Sequence, residues 1–160
     1  MTTKEQWLAL HGVCLDAIRS AMEGISDEAL AATVQPGDRS VGAEVNHVIQ
    51  AEQYWLREVG IEPAFGTVPD GERSEARFRD ALAGIEAQYA TILDEKGLDR
   101  DILFGLGRVC QHALYHYVRA IRLRKTVEPA WSPPGRLWER SVDFISDLLI
   151  LGDEANLNTA

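Results

Sequence analysis

Five stretches of this chain place apolar residues at three- and four-residue steps, and Gly, Pro and Asp punctuate the gaps between them. No β-branched run alternates with polar residues, so the pattern confines the chain to helices. Residues 3–23 carry Trp7, Leu10, Cys14, Ile18, Ala21 and Met22 at helical spacing and close near Gly24. Asp27 to about Ala32 adds a short turn before the breaker QPGD at 35–38. Ser40 reads as the N-cap of a long helix running to Gly60. The Gly- and Pro-rich segment 61–71 is a loop. A helix from about Ser74 to Lys96 follows, striped by Phe78, Leu82, Ile85, Tyr89, Ile92 and Leu93, with Gly97 placed as its stop. The next helix starts within 101–108 and runs to about Val127. EPAWSPPG at 128–135 is a stiff connection to a last helix over about 136–151, and 153–160 is expected to fray. Residues 1–152 therefore read as one all-α domain, an antiparallel four-helix bundle with an additional C-terminal helix.

At 160 residues the chain is long enough to bury a core. Its net charge of −9 opposes nucleic acid and anionic membrane surfaces, both of which need a basic face. The longest aliphatic run, LLIL at 148–151, is too short to span a bilayer, and the N-terminus lacks the apolar stretch of a signal peptide. Cys14 and Cys110 form no CxxC pair. The expectation is a cytoplasmic protein with neither nucleic-acid nor membrane partners.

The stretch QHALYHYVRAIR at 111–122 holds His112 and His116 one helical turn apart, about 40° apart around the axis. Side chains so spaced can offer two imidazole nitrogens to one cation. In the helix opened by Ser40, Val41, Val45, Val48, Trp55, Leu56 and Val59 define the principal apolar face. Asn46, Gln50, Gln53 and Arg57 form a polar wedge. His47 belongs to neither. It shares a second strip with Ala43, Ala51 and Tyr54, which the pattern predicts to be buried. A buried imidazole costs free energy unless its nitrogens are satisfied. Three histidines on two inward faces are best satisfied through a divalent cation; the alternative is that they only pack.

The segment MEGISDEALAATVQPGDRSVGAEVNHVIQAEQYWL, followed some sixty residues later by HALYHYVRAI, resembles the DinB/YfiT-like superfamily of metalloenzymes. Members of that family are four-helix bundles, often dimeric, with a metal held by a histidine of the second helix and an HxxxH pair of the fourth. The resemblance implies His47, His112 and His116 as metal ligands, a homodimer, and a small-molecule substrate. Two positions depart from the family pattern. Arg39 stands where a Trp often precedes the capping Ser, and Tyr117 where an Arg often follows the last His. Both departures bear on the pocket and the substrate. Some members are similar to transferases or isomerases that use a low-molecular-weight thiol, and others to hydrolases. The implied function is a metal-dependent thiol transferase or isomerase, with a hydrolase using activated water, or a non-catalytic metal-stabilised binding or stress protein, as alternatives. Imidazole suits zinc, nickel, iron and copper alike. Zinc or nickel is the expected occupant, with iron or manganese behind them.

Glu44, one turn before His47, and Glu52, within the Val/Trp face, could each accept the second N–H of a ligand imidazole or serve as a base. Each reads equally well as a partly solvated helix carboxylate. Arg119, on the side of His112, is a candidate for binding a substrate anion, yet it also belongs to the basic run RAIRLRK that suits a helix C-terminus. Glu44 and Arg119 are thus the catalytic candidates. His11 shares a face with Trp7, Cys14 and Ile18 and is expected to pack rather than ligate. Cys110 is turned about 200° from His112 and should face the core, as should Cys14. The pair HALYH lacks the Glu that zinc peptidases carry after the first His. Tyr54 and Tyr115 read as packing residues.

Overall fold

A computed structural model describes residues 2–133. The helix expected over 136–151, the end of the 128–135 connection and the tail at 153–160 lie outside the described residues. Within them all regular structure is helical: α1 (Thr3–Met22), α2 (Asp27–Ala31), α3 (Val41–Glu58), a 3₁₀ turn (Asp70–Glu72), α4 (Glu75–Glu95) and α5 (Arg100–Val127).

Each α-helix begins where a short polar side chain satisfies otherwise orphaned backbone donors. Thr2 and Glu5 form a reciprocal capping box on α1. Ser26, Ser40 and Ser74 accept from the third residue beyond them in α2, α3 and α4. Asp99 accepts from Asp101 and Ile102 at the start of α5. Three helices end at a glycine in the left-handed region, Gly24 after α1 (φ 67°), Gly60 after α3 (φ 73°) and Gly97 after α4 (φ 75°), a backbone that a Cβ would strain. The α5 start is earlier than the 101–108 expected from sequence. Gly105 and Gly107 dilute the apolar period there, whereas Asp99 supplies the cap.

The core is built from one stripe of each long helix. Leu15, Ile18 and Met22 of α1 meet Val45, Ile49 and Leu56 of α3, Phe78, Leu82 and Ile85 of α4, and Leu106, Ala113 and Tyr117 of α5. Helix α5 packs most extensively, against α3 and α1, while α4 closes against α1 and α3. The short α2 lies on α3 so closely that a Cβ at Gly42 would stand 3.1 Å from the Leu30 carbonyl oxygen.

The 61–71 loop is tied down along its length. Asn46 donates to the Val68 carbonyl at 2.8 Å and accepts from its N–H at 2.9 Å. Gln53 donates to the Phe65 carbonyl at 2.8 Å, and Gln88 of α4 pairs with Glu62 and Ala64. The polar wedge of α3 is therefore not a solvated face throughout. Asn46 is buried, and its amide replaces water for a loop that has no regular partner.

Candidate metal centre

Helices α3 and α5 run in opposite directions along each other, and their side-chain pairs mark the register. Glu44 meets His116 and Arg119, His47 meets His112 and His116, and Trp55 meets Phe104 and Arg108. The ring centroids of His112 and His116 stand 4.3 Å apart, as their one-turn spacing requires. The His47 ring is 5.0 Å from the first and 4.7 Å from the second. One ligand nitrogen from each of the three lies within 4.8 Å of the others. The sequence-predicted trio is brought together.

The donor set fits a divalent transition metal. His116 donates Nδ1–H to Glu44 in a short contact, which leaves Nε2 as the nitrogen that could ligate a metal. His47 faces Gln50 Oε1 through Nδ1 at 3.4 Å. The buried Nδ1 of His112 has no hydrogen-bond partner among the described residues, so that ring is not satisfied by packing alone. Burial first, then the neighbouring histidines and arginines, push the His112 imidazolium down to about 4. His47 is shifted the same way, by burial and then by Arg39. Both are neutral near pH 7, the form that ligates. Calcium or magnesium would want several oxygens, and the nearest carboxylate is turned onto His116.

Glu44 is wholly buried, and Arg119 donates to it through Nε at 3.1 Å. Burial alone would raise its carboxyl; the His116 bond and charge, with Arg119, outweigh that and hold it below the usual range. Of its three readings from sequence, the solvated carboxylate is excluded, and acceptance of the His116 N–H, rather than a free base, is what the geometry shows. Arg119 is engaged on both sides, since its Nη1 also reaches the Tyr115 hydroxyl at 3.3 Å. Arg39 stands 3.9 Å from Glu44, while Tyr117 points into the core and is fully buried.

The strip predicted to bury His47 is only half closed. His116 is buried, but His47 and His112 are half-buried and Tyr54 is 54% exposed. Tyr115 is equally open. Neither tyrosine is a core residue, because both lie on the outer edge of the α3–α5 seam, where no described helix covers them. The site has an accessible side.

Glu52 does not serve the trio. It accepts from His11 Nε2 at 2.9 Å, both side chains being sealed, and the His11 ring meets Tyr89 edge-on at 4.6 Å. Burial first, and then the adjacent Glu52 carboxylate, push the Tyr89 hydroxyl up. Cys14 and Cys110 are free, buried thiols, as their helical phase predicts. Contact with Cys14, then burial, raises the Cys110 thiol. Sequence reasoning passed over Arg108 beside the trio and met Arg39 only as a departure from the family pattern. Arg108 sits one turn before His112, a spacing that would have found it. Arg39 lies outside any helical pattern.

No protein-family model, curated protein or solved structure matches the chain.

Proposed function

We propose that this chain is a metal-dependent enzyme of the DinB/YfiT-like kind, one that transfers a low-molecular-weight thiol to a small electrophile or isomerises it through the thiol adduct. The observation that carries the reading is the convergence of His47, His112 and His116, each with a nitrogen within 4.8 Å of the others. The partnerless Nδ1 of His112 and the half-open flank of the site support it. An antiparallel four-helix bundle is part of the same reading. It is supported by the way α1, α5, α3 and α4 each pack on two of the others. The homodimer that the family resemblance implies belongs to the same proposal.

A zinc or nickel ion on three neutral imidazoles would keep its full charge and an open position, and would there favour a thiolate near neutral pH. The chain's own residues do the rest. Glu44 holds the Nδ1 proton of His116 and thereby fixes the tautomer and the ring plane. Arg119 holds Glu44 in turn, which makes the pair positioning groups rather than acid or base. The buried thiols Cys14 and Cys110 take no part, since a reactive cysteine needs access and a low pKa.

Elemental analysis of untagged protein comes first, with about one equivalent of transition metal expected. Cobalt-substituted protein is then titrated with small thiols, in wild type and in a Cys14→Ser/Cys110→Ser variant. A sulfur-to-cobalt charge-transfer band in both proteins supports the thiol reading. No band with any thiol, together with metal-dependent ester hydrolysis, would replace it with a hydrolase.

A further inference from the structure

One end of the α3–α5 seam carries an aromatic shelf. Trp55 packs edge-on against Tyr54 at 5.4 Å and Phe104 at 5.6 Å. Tyr54 and Phe104 are both more than half exposed. Tyr54 follows His47 by seven residues, two turns and about 10 Å along the same side of α3. Arg108 lies over Trp55, its guanidinium carbon 5.9 Å from the ring centre, and precedes His112 by one turn, about 6 Å along the axis. Among the described residues its one side-chain hydrogen bond is a long contact of 3.4 Å to Gln111. No carboxylate among the described residues lies within ion-pair distance of it. The sequence made Arg119 the candidate for an anion, but Arg119 already donates to Glu44 and to Tyr115. In a chain of net charge −9, an exposed cation beside the imidazoles that no described carboxylate pairs with marks where a negative group would be welcome.

We infer that Arg108 anchors the carboxylate of a small organic acid whose apolar body rests on the Tyr54–Trp55–Phe104 shelf, beside the three-histidine centre. A single guanidinium fork matches one carboxylate in a bidentate pair. A phosphate, with up to twice the charge, would call for a second free cation close to Arg108; Arg100, which lines a cleft with Phe104, stands eight residues and about 12 Å before Arg108 on α5. Trp55 is a positioning residue, since its ring face holds the guanidinium over the shelf. The acid's role as substrate rests on the proposed enzyme; its binding does not.

The test is calorimetric titration of metal-free and zinc-treated protein with benzoate, benzamide and phenyl phosphate. Benzoate should bind about tenfold more tightly than benzamide, the worth of one charge-assisted hydrogen-bonded pair. Arg108→Gln should weaken benzoate about tenfold and leave benzamide unchanged, and Arg108→Lys should recover part of the loss. Benzoate affinity indifferent to Arg108→Gln, or lost in Arg119→Gln instead, overturns the inference. So does phenyl phosphate binding more tightly than benzoate. Stoichiometric metal with Arg108-independent benzoate binding leaves the enzyme reading standing and removes the acid subsite. Arg108-dependent binding in a protein that takes up no metal does the reverse.

Discussion

Helix α3 presents two carboxylates two turns apart, Glu44 and Glu52, both sealed from solvent and each bonded to a histidine of another helix. The environments then diverge. Glu44 holds His116, whose ring joins two half-buried imidazoles at an open edge of the seam. Glu52 holds His11, 1% exposed and packed edge-on against Tyr89, with no second imidazole in reach. The same pair is thus used at two depths. Where the ring is enclosed and its partner supplied, the pair ties α1 to α3 and has little left to offer a ligand. Where the ring meets others with spare nitrogens and an accessible flank, the carboxylate orients one of three imidazoles close enough to hold a metal ion. A histidine–carboxylate bond alone does not tell the two apart; the number of neighbouring imidazoles and their exposure do.

The largest expected effect is on metal affinity. His47→Ala, His112→Ala and His116→Ala should each lower it by more than about 100-fold, because changes around a ligand cost about 10–100-fold on their own. Competition with a chromogenic chelator measures this, and wild-type affinity in any two variants removes the assignment. His11→Ala should bind metal as wild type does. Its cost should instead fall on the fold, about 3 kcal/mol in urea unfolding, because it empties a packed site and strips the sealed Glu52 of its donor. In metal-free protein His47→Ala should cost about 1 kcal/mol or less. Equal losses in these two variants would erase the distinction between the pairs.

Glu44→Gln should weaken metal binding about tenfold by loosening the His116 tautomer, while Glu52→Gln leaves it unchanged. Matched losses in the two would show that α3, rather than the Glu44–His116 bond, governs the site. The smallest effect is on pH. The unfolded chain takes up a proton at His112 below about 6.5, whereas the folded, metal-free chain does so only near 4. Stability of the metal-free protein should therefore fall as the pH drops from about 6.5 to 4, and this contribution should level off below. His112→Gln should flatten that slope by about 1–2 kcal/mol across the window, allowing for solvent screening. Parallel pH profiles of the urea midpoint would contradict it.

Helix positions were legible because they depend on local chemistry. Ser40 before an apolar period and Gly97 after one are start and stop marks that need no tertiary partner. The α5 start was misplaced where two glycines thinned the pattern, although Asp99 stood there as a cap. The three histidines were legible because their phases on two helices agree. The burial of Glu44 and Glu52 was not, since a carboxylate can be enclosed only when another helix brings a donor to it. The burial of Asn46 was hidden for the same reason, its partner being a loop backbone twenty-two residues away. Tyr54 and Tyr115 sit at helical positions that could face either way, and what packs beside the seam decided.

The pinned loop carries a metric consequence. Gln53 and Asn46 are seven residues apart on α3, a span of about 10 Å at the helical rise. The carbonyls they hold belong to Phe65 and Val68, three residues apart, and three extended residues also reach about 10 Å. The two lengths are commensurate, so the loop runs back along its own helix like a scale laid against a rule. An added or deleted residue between 65 and 68 would put one amide out of step. Length variation in this part of the chain should therefore be tolerated near the 3₁₀ turn at Asp70–Glu72 and refused inside the measured interval.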